Sequence, residues 1–218
     1  DLHSFPTRRS SDLHIGAADA ELAVRHGAAF LGVVFAESPR RVSVLEAREL
    51  AVAAGGVPLL GVFTEATPEE ILRLRDHAGL AGAQLHGDYS EAVRARLRGE
   101  GLIIWSVARL SQPSDVEAIP ALAVEADAVV VEPRVAGVEG GSGTPLSADL
   151  AQAARACVAR GQLVLAGGLT PETVAGAIAL VQPDMVDVSS GVEGERGRKD
   201  PLRLVRFMEV VGDADAGA

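Results

Sequence analysis

From residue 15 onward, short apolar runs alternate with longer helix-like segments, and this alternation restricts the possible folds more than any other feature. The apolar runs are FLGVVF (30–35), PLLGVF (58–63), GAQLH (82–86), LIIWSV (102–107), AVVVE (128–132), LVLAG (163–167) and MVDVSS (185–190). They are nearly continuous, as expected for parallel strands buried on both faces. Repeated βα units predict a parallel sheet covered by helices.

The segments between these runs predict eight helices, at 17–26, 44–54, 68–78, 90–98, 113–121, 147–160, 171–181 and 201–211. Thr67-Pro68, Thr170-Pro171 and Asp200-Pro201 each place a capping residue before a proline, which is typical of a helix start. An open doubly wound sheet is the alternative, but no G-x-G-x-x-G follows the first run. We therefore predict an α/β (βα)8 TIM barrel. Its missing strand would occupy residues 8–13.

Composition excludes several classes of protein. A length of 218 residues with 48% hydrophobic residues favours one ordered domain. The net charge of −10, without a basic stripe, argues against nucleic acid as a partner, and no apolar run approaches the ~20 residues that span a bilayer. Cys157 is the only cysteine, so no intrachain disulfide can form and we expect a cytoplasmic location. Because Cys157 lies in a predicted helix, we expect it to have a packing role. The five histidines are scattered, and we expect no metal or cofactor.

Two glycine-containing loops predict a phosphate site. AGGLT (166–170) and VSSGVE (188–193) follow the last two predicted strands, where barrels commonly hold phosphate against backbone N–H groups. The alternative is that these glycines only make tight turns.

Three further candidates follow strand ends, where a barrel places its active site. Arg40 could meet a substrate carboxylate, while the adjacent Arg41 could be a solvated surface charge. His86 could be functional or structural. Burial of Glu132 at the end of an apolar strand would favour its protonated form and suit a general acid; an ion pair with Arg134 is the alternative. The glycine-rich segment 137–143 could fold over a ligand or be only a connection.

Seven motifs in order resemble the phosphoribosylanthranilate isomerase family, from about residue 17 to residue 211. The motifs are LGVVFAESPRRVS, GVFTEATPEEI, QLHGD, GGSG, LAGGLTPETV, VDVSSGVE and the late KDP. The resemblance implies an aldose-ketose isomerase (an intramolecular oxidoreductase) of tryptophan and aromatic amino acid biosynthesis. Its small phosphosugar substrate would be converted by an Amadori rearrangement without cofactor or metal. The resemblance also implies a monomer or a homodimer.

The resemblance assigns roles to particular residues. Glu132 occupies the position of the family's acidic Asp, with a side chain longer by about 1.5 Å. Arg40 would bind the anthranilate carboxylate, and His86 would lie in the substrate site. The other positions that match are Gly141 and Gly143 in the loop after strand six, and Gly167, Gly168, Ser189, Ser190 and Gly191 around the phosphate.

The family's catalytic base is a Cys in a K-I-C-G motif at the end of strand one, and this chain departs from that motif. Counting back from Asp19 places the motif at residues 10–13, which read Ser-Ser-Asp-Leu, so Asp12 occupies the Cys position. A catalytically impaired barrel that still binds a phosphate ligand is therefore the alternative to a working isomerase. Another phosphosugar isomerase or epimerase on the same fold is a third hypothesis, which Arg40 disfavours.

Residues 1–14, DLHSFPTRRSSDLH, differ from the rest of the chain. Because they lack the apolar core of a secretory signal, we do not interpret them as a targeting segment. Their near-repeat resembles translated sequencing-adapter contamination. We expect a non-native or aberrant segment at 1–14 that replaces strand one, and a single (βα)8 barrel domain at 15–218. Charged and polar residues would enter a buried sheet there, which predicts an atypical or poorly formed first strand.

Overall fold

A computed structural model describes residues 9–13, 16–134, 144–158, 162–195 and 197–216, with the backbone alone at 9–13, 162, 215 and 216. Eight parallel strands form a closed barrel in chain order. The strands are β1 (Arg9–Leu13), β2 (Phe30–Val34), β3 (Leu59–Phe63), β4 (Gly82–Leu85), β5 (Ile103–Leu110), β6 (Ala128–Pro133), β7 (Gln162–Leu165) and β8 (Met185–Val188). A short antiparallel hairpin, β9 (Glu193–Glu195) and β10 (Arg198–Lys199), follows β8.

Helices cover the outside of the barrel. They are α1 (Ala17–Arg25), α2 (Val44–Ala53), α3 (Pro68–Ala78), α4 (Glu91–Gly99), α5 (Ile119–Ala123), α6 (Ala148–Cys157), α7 (Val174–Val181) and α8 (Pro201–Ala216). Thr67 caps α3, because its side chain accepts a hydrogen bond from the N–H of Glu70. Asp200 caps α8 by accepting from the N–H groups of Leu202 and Arg203. No helix among the described residues combines the length and apolar character that a membrane span requires.

The buried apolar side chains form two separate cores, one inside the barrel and one outside it. The inner core fills the barrel and includes Phe30, Trp105, Val130 and Val164. Phe30 and Trp105 meet edge to face, with ring centroids 4.9 Å apart. The larger outer core lies between the sheet and the helices, and Cys157 packs against it as predicted. Because both strand faces are covered, the strands have the nearly continuous apolar sequences from which they were predicted.

Several predicted elements have different boundaries in the structure; helix α8, for example, continues to Ala216 rather than ending at residue 211. The predicted helix 113–121 is a 3-10 helix, Pro113–Ala118, followed by the short α5. Helix α7 begins at Val174 rather than at residue 171, because the N–H of Thr170 bonds to the side chain of Thr173 and residues 171–173 form a turn. Strand β5 continues to Leu110, three residues beyond the predicted run.

Strand β1 is formed within the segment expected to be aberrant. Ser11 pairs with Phe30 of β2 and with Asp187 of β8, so the backbone ladder closes the barrel on both sides. The side chains of residues 9–13 lie outside the described part of the chain, and poor packing of this strand therefore stays a prediction.

Candidate active site

The candidate residues lie at one end of the barrel. Arg40 follows β2, His86 directly follows β4, Glu132 lies near the end of β6, and the two glycine loops follow β7 and β8. Since all eight strands are parallel, their carboxyl ends meet at one mouth, where barrel enzymes carry their active sites. The sequence therefore predicted the correct end of the barrel for these residues.

Glu132 contacts two cationic or ionisable side chains. Arg109 is its register partner on β5 and donates from Nε to Oε1 over 3.1 Å. His86 Nδ1 lies 3.5 Å from the same oxygen. The Nε2 atom of His86 lies 3.2 Å from Oε1 of Gln84, which fixes the imidazole from its other edge. Glu132 is buried, and so is the His86 side chain.

This environment corrects the expected protonation state of Glu132. Burial raises the pKa of the carboxyl group, but the hydrogen bonds and charges of His86 and Arg109 outweigh it and hold the pKa below its ordinary value. The free site therefore holds an ionised Glu132. The suggested ion pair with Arg134 is also wrong, because Arg134 donates to the backbone carbonyl of Arg109 over 3.3 Å, and the partner of Glu132 is Arg109.

Arg40 is engaged by a carboxylate of the protein itself. Its Nε and Nη2 atoms donate to the two carboxylate oxygens of Glu193 over 2.8 and 3.0 Å, and both residues are buried. The hydrogen bonds of Glu193 to Arg40 and to the N–H of Gly197, with the charges of Arg40 and Lys199, overcome burial and lower the pKa of Glu193. Arg41 is exposed and pairs with Glu37, so it is the surface charge that the sequence offered as an alternative.

The two predicted phosphate loops touch each other. Gly168 adopts a left-handed backbone conformation, with φ at 63°, that most residues avoid. A Cβ atom at Gly191 would lie 1.7 Å from the carbonyl oxygen of Leu169. These two glycines are therefore required by the conformation of one loop and by its contact with the other. Ser189 and Ser190 lie in the same β8 loop.

The residues of the late KDP motif anchor this β8 loop. Nζ of Lys199 donates to the carbonyl oxygen of Ser189 over 2.8 Å, although Lys199 is itself buried. The N–H of Asp200 donates to the carbonyl oxygen of Val192 over 2.8 Å, while its side chain caps α8. The motif thus fixes the candidate phosphate loop against the following helix.

Asp12, the residue at the position of the family's catalytic base, lies in β1 and is described by its backbone alone. Its backbone pairs with Leu31 of β2 and with Val188 of β8. A role for Asp12 as the base stays a prediction. Gly141 and Gly143, with the whole segment 137–143, lie outside the described residues.

A cavity of about 1050 Å³ opens beside the Glu132 cluster over β3 to β6. His86, Gly87, Tyr89, Arg109 and Arg134 contribute to its lining. The Tyr89 hydroxyl is buried and has no hydrogen-bond partner among the described residues. In the described part of the chain, no group of three or more His, Cys, Asp or Glu side chains could hold a metal ion.

Three residues of the site were not predicted from the sequence. Arg109 continues the inward alternation of Trp105 and Val107 on β5, a signal that extending the apolar run would have revealed. Glu193 and Lys199 belong to motifs that the sequence did single out. Glu193 binds Arg40, which lies 153 positions away in the sequence, and Lys199 binds the carbonyl oxygen of Ser189 on the other side of the hairpin. These contacts could be identified only from the structure.

Comparison with known proteins gives one consistent result. The sequence pattern of N-(5'phosphoribosyl)anthranilate (PRA) isomerase matches residues 13–210. The N-(5'-phosphoribosyl)anthranilate isomerase of Rubrobacter xylanophilus is 40% identical over 195 residues, covering 87% of this chain and 91% of that protein. The crystal structure of phosphoribosyl anthranilate isomerase from Thermotoga maritima superposes with a TM-score of 0.85 at 29% identity, covering 95% of this chain and 100% of that one.

A second solved structure adds a ligand. It is a phosphoribosyl anthranilate isomerase in complex with reduced 1-(o-carboxyphenylamino)-1-deoxyribulose 5-phosphate, with a TM-score of 0.83, 28% identity, and coverage of 95% of this chain and 100% of that one. The sequence match and the fold agree over nearly the whole length. The chain therefore belongs to the N-(5'-phosphoribosyl)anthranilate isomerase family.

Proposed function

We propose that this protein converts N-(5-phosphoribosyl)anthranilate to the carboxyphenylamino-deoxyribulose phosphate of tryptophan biosynthesis. The observation that carries the proposal is the placement of a buried carboxyl group, Glu132, at the same barrel mouth as the paired glycine loops. Family membership over residues 13–210 supports the same reaction. A cytoplasmic location and a monomeric or homodimeric state are part of the proposal.

Glu132 would act as the general acid. It gives its proton to the furanose ring oxygen as the bond from that oxygen to C1 breaks, which leaves an iminium group at C1. Because the free site holds Glu132 ionised, the carboxyl must take up a proton before this step. His86 lies beside the carboxylate, with Nδ1 3.5 Å from Oε1, and would be the neighbour that passes this proton to Glu132.

A base then removes the proton from C2, and the electron pair of that C–H bond neutralises the iminium to give an enolamine, which tautomerises to the ketone. Asp12 occupies the position of this base in the family. Its carboxylate could accept a proton, but the adjacent Lys and Gly of the family motif are replaced by Ser10, Ser11 and Leu13. A phosphate-ligand-binding barrel without turnover is thus the second candidate function, which the replaced motif favours.

The remaining residues, which lie in loops at the barrel mouth, would bind the substrate. Backbone N–H groups around Gly167, Gly168, Ser189, Ser190 and Gly191 would bind the phosphate, since glycine lets the backbone approach an anion closely. Arg40 would bind the anthranilate carboxylate through the donors that Glu193 leaves free. Gly141 and Gly143 would belong to the loop that covers the substrate.

Turnover is tested by the loss of fluorescence as phosphoribosylanthranilate is consumed, and binding by calorimetry with the reduced product analogue. Glu132→Gln should abolish turnover and keep binding of the analogue, because the amide has nearly the same shape and no acidic proton. Asp12→Ala should abolish turnover if Asp12 is the base. Binding of the analogue without turnover in the unmodified chain would instead support the binding-only barrel.

A repaired variant separates a damaged first strand from a wrong family function. It combines Ser10→Lys, Ser11→Ile, Asp12→Cys and Leu13→Gly. Turnover by this variant alone would show that the remaining site is intact. Turnover of a phosphosugar that lacks the anthranilate ring, by either protein, would favour the third hypothesis of another isomerase or epimerase.

A further inference from the structure

Arg40 and Glu193 join two loops that are 153 positions apart in the sequence. Two parallel hydrogen bonds, 2.8 and 3.0 Å long, connect the Nε and Nη2 edge of the guanidinium group to the carboxylate. Both side chains are at most 10% exposed. Bidentate pairing fixes the plane of the guanidinium group as well as its position, and burial protects the pair from exchange with water.

Glu193 is itself held in place from three directions. The N–H of Gly197 donates to Oε2 over 3.0 Å, and the backbone of Glu193 pairs with Lys199 in the hairpin. Arg203 donates to the Glu193 carbonyl oxygen over 3.4 Å. The carboxylate is therefore a fixed support for Arg40. Lys199 of the same hairpin also holds Ser189 in the phosphate loop.

The guanidinium group keeps unused donors. Arginine has five N–H groups, and Glu193 accepts hydrogen bonds from two of them. Within the described residues, Nη1 of Arg40 has no hydrogen-bond partner. The remaining edge, formed by Nη1 and the second proton of Nη2, has the geometry that binds another carboxylate with two parallel hydrogen bonds.

We infer that Glu193 is a positioning residue for recognition of the substrate carboxylate: it holds one edge of Arg40 so that the other edge faces that carboxylate. The inference rests on the proposed function, in which the carboxylate is that of the anthranilate ring. A guanidinium group that is already fixed loses less conformational freedom on binding. The hairpin also links carboxylate recognition to the phosphate loop.

The test compares three ligands: the reduced product analogue, the same compound without the ring carboxylate, and inorganic phosphate. The wild-type protein should prefer the carboxylate-bearing compound by about 10-fold or more. Glu193→Gln should lose most of this preference and bind phosphate with little change. Glu195→Gln is the matched control, because it removes a charge from the same hairpin at an exposed position and should keep the preference.

A role of Glu193 in the fold alone predicts a different result. Glu193→Gln would then weaken both organic ligands by the same factor, and an unchanged preference overturns the inference. A wild-type protein that binds both compounds equally also overturns it. If urea unfolding shows that the Gln variant is unfolded, Glu193→Asp replaces it, since it keeps the charge but withdraws from Arg40 by one methylene. Failure of the proposed function appears separately, as absent turnover of phosphoribosylanthranilate.

Discussion

Replacing Gly191 by alanine should separate the two phosphate loops. The new Cβ atom would lie 1.7 Å from the carbonyl oxygen of Leu169 and 2.8 Å from its carbonyl carbon. The oxygen would have to retreat by roughly 1.3 Å before the distance reached 3.0 Å, below which real Cβ atoms are essentially never found. The two Leu169 atoms that the Cβ would meet belong to the backbone, so no side-chain rotation can relieve the contact.

This displacement is large relative to the tolerance of a phosphate site. A shift of about 1 Å removes at least one charge-assisted hydrogen bond, which contributes about 1.5 to 3 kcal/mol. We expect Gly191→Ala to weaken binding of the reduced product analogue by about 10- to 100-fold, as measured by calorimetry. The analogue is used because its binding does not depend on the catalytic base.

Gly194→Ala provides the matched control for this substitution. Its Cβ atom would lie 3.5 Å from Cβ of Asp200, which is an ordinary contact, and the residue is exposed. We expect this variant to bind the analogue like the wild-type protein. If Gly191→Ala also binds normally while remaining folded, the two loops do not have to touch and the reasoning is refuted.

Two further predictions concern protonation. Arg109→Met should raise the pKa of Glu132, followed by NMR of labelled glutamate carboxyl groups, whereas Arg134→Met should change it less; a larger rise with Arg134→Met would contradict the observed pairing. Because the pKa of Glu132 is lowered on folding, its pair stabilises the fold above about pH 4.3 and this contribution is lost as pH falls through the folded value. Burial raises the pKa of Tyr89, the only tyrosine, to about 12. Tyrosinate absorbance should therefore show a midpoint near 12 in the folded protein, and stability should fall as pH rises above about 10; a folded midpoint near 10 would exclude this burial effect.

The sequence predicted the barrel because burial on both strand faces leaves a pattern that needs no knowledge of tertiary contacts. Each of the seven predicted apolar runs overlaps a strand, and its boundaries differ from those of the strand by only a few residues. The hairpin of β9 and β10 left no such pattern, since Glu195 and Arg198 are exposed and the segment is polar. The hairpin contacts Arg40 through Glu193 and the phosphate loop through Lys199, and the local sequence pattern shows neither contact.

The sequence predicted the candidate site only in part, because the protonation state of a side chain depends on tertiary contacts that the sequence pattern does not show. Residue type and strand end located Glu132, but its protonation depends on His86 and Arg109, which the fold places beside it at the ends of the two preceding strands. An isolated carboxyl in an apolar strand should hold its proton more tightly, and the same carboxyl beside a guanidinium group should release it. The sequence supplied the argument from burial, and the structure supplied the contacts with His86 and Arg109 that outweigh it.

Strand β1 shows why the fold and the activity of this chain can be separated. A parallel ladder is made by backbone N–H and C=O groups, so RSSDL can occupy the position between β8 and β2 although its side chains suit a buried sheet poorly. Catalysis has no such tolerance, because removal of the C2 proton needs a particular side chain at a particular register. Closing the barrel therefore preserves the phosphate loops, Arg40 and Glu132 whether or not residue 12 acts as the base. Binding of the analogue should consequently survive changes in residues 10–13 that abolish or restore turnover.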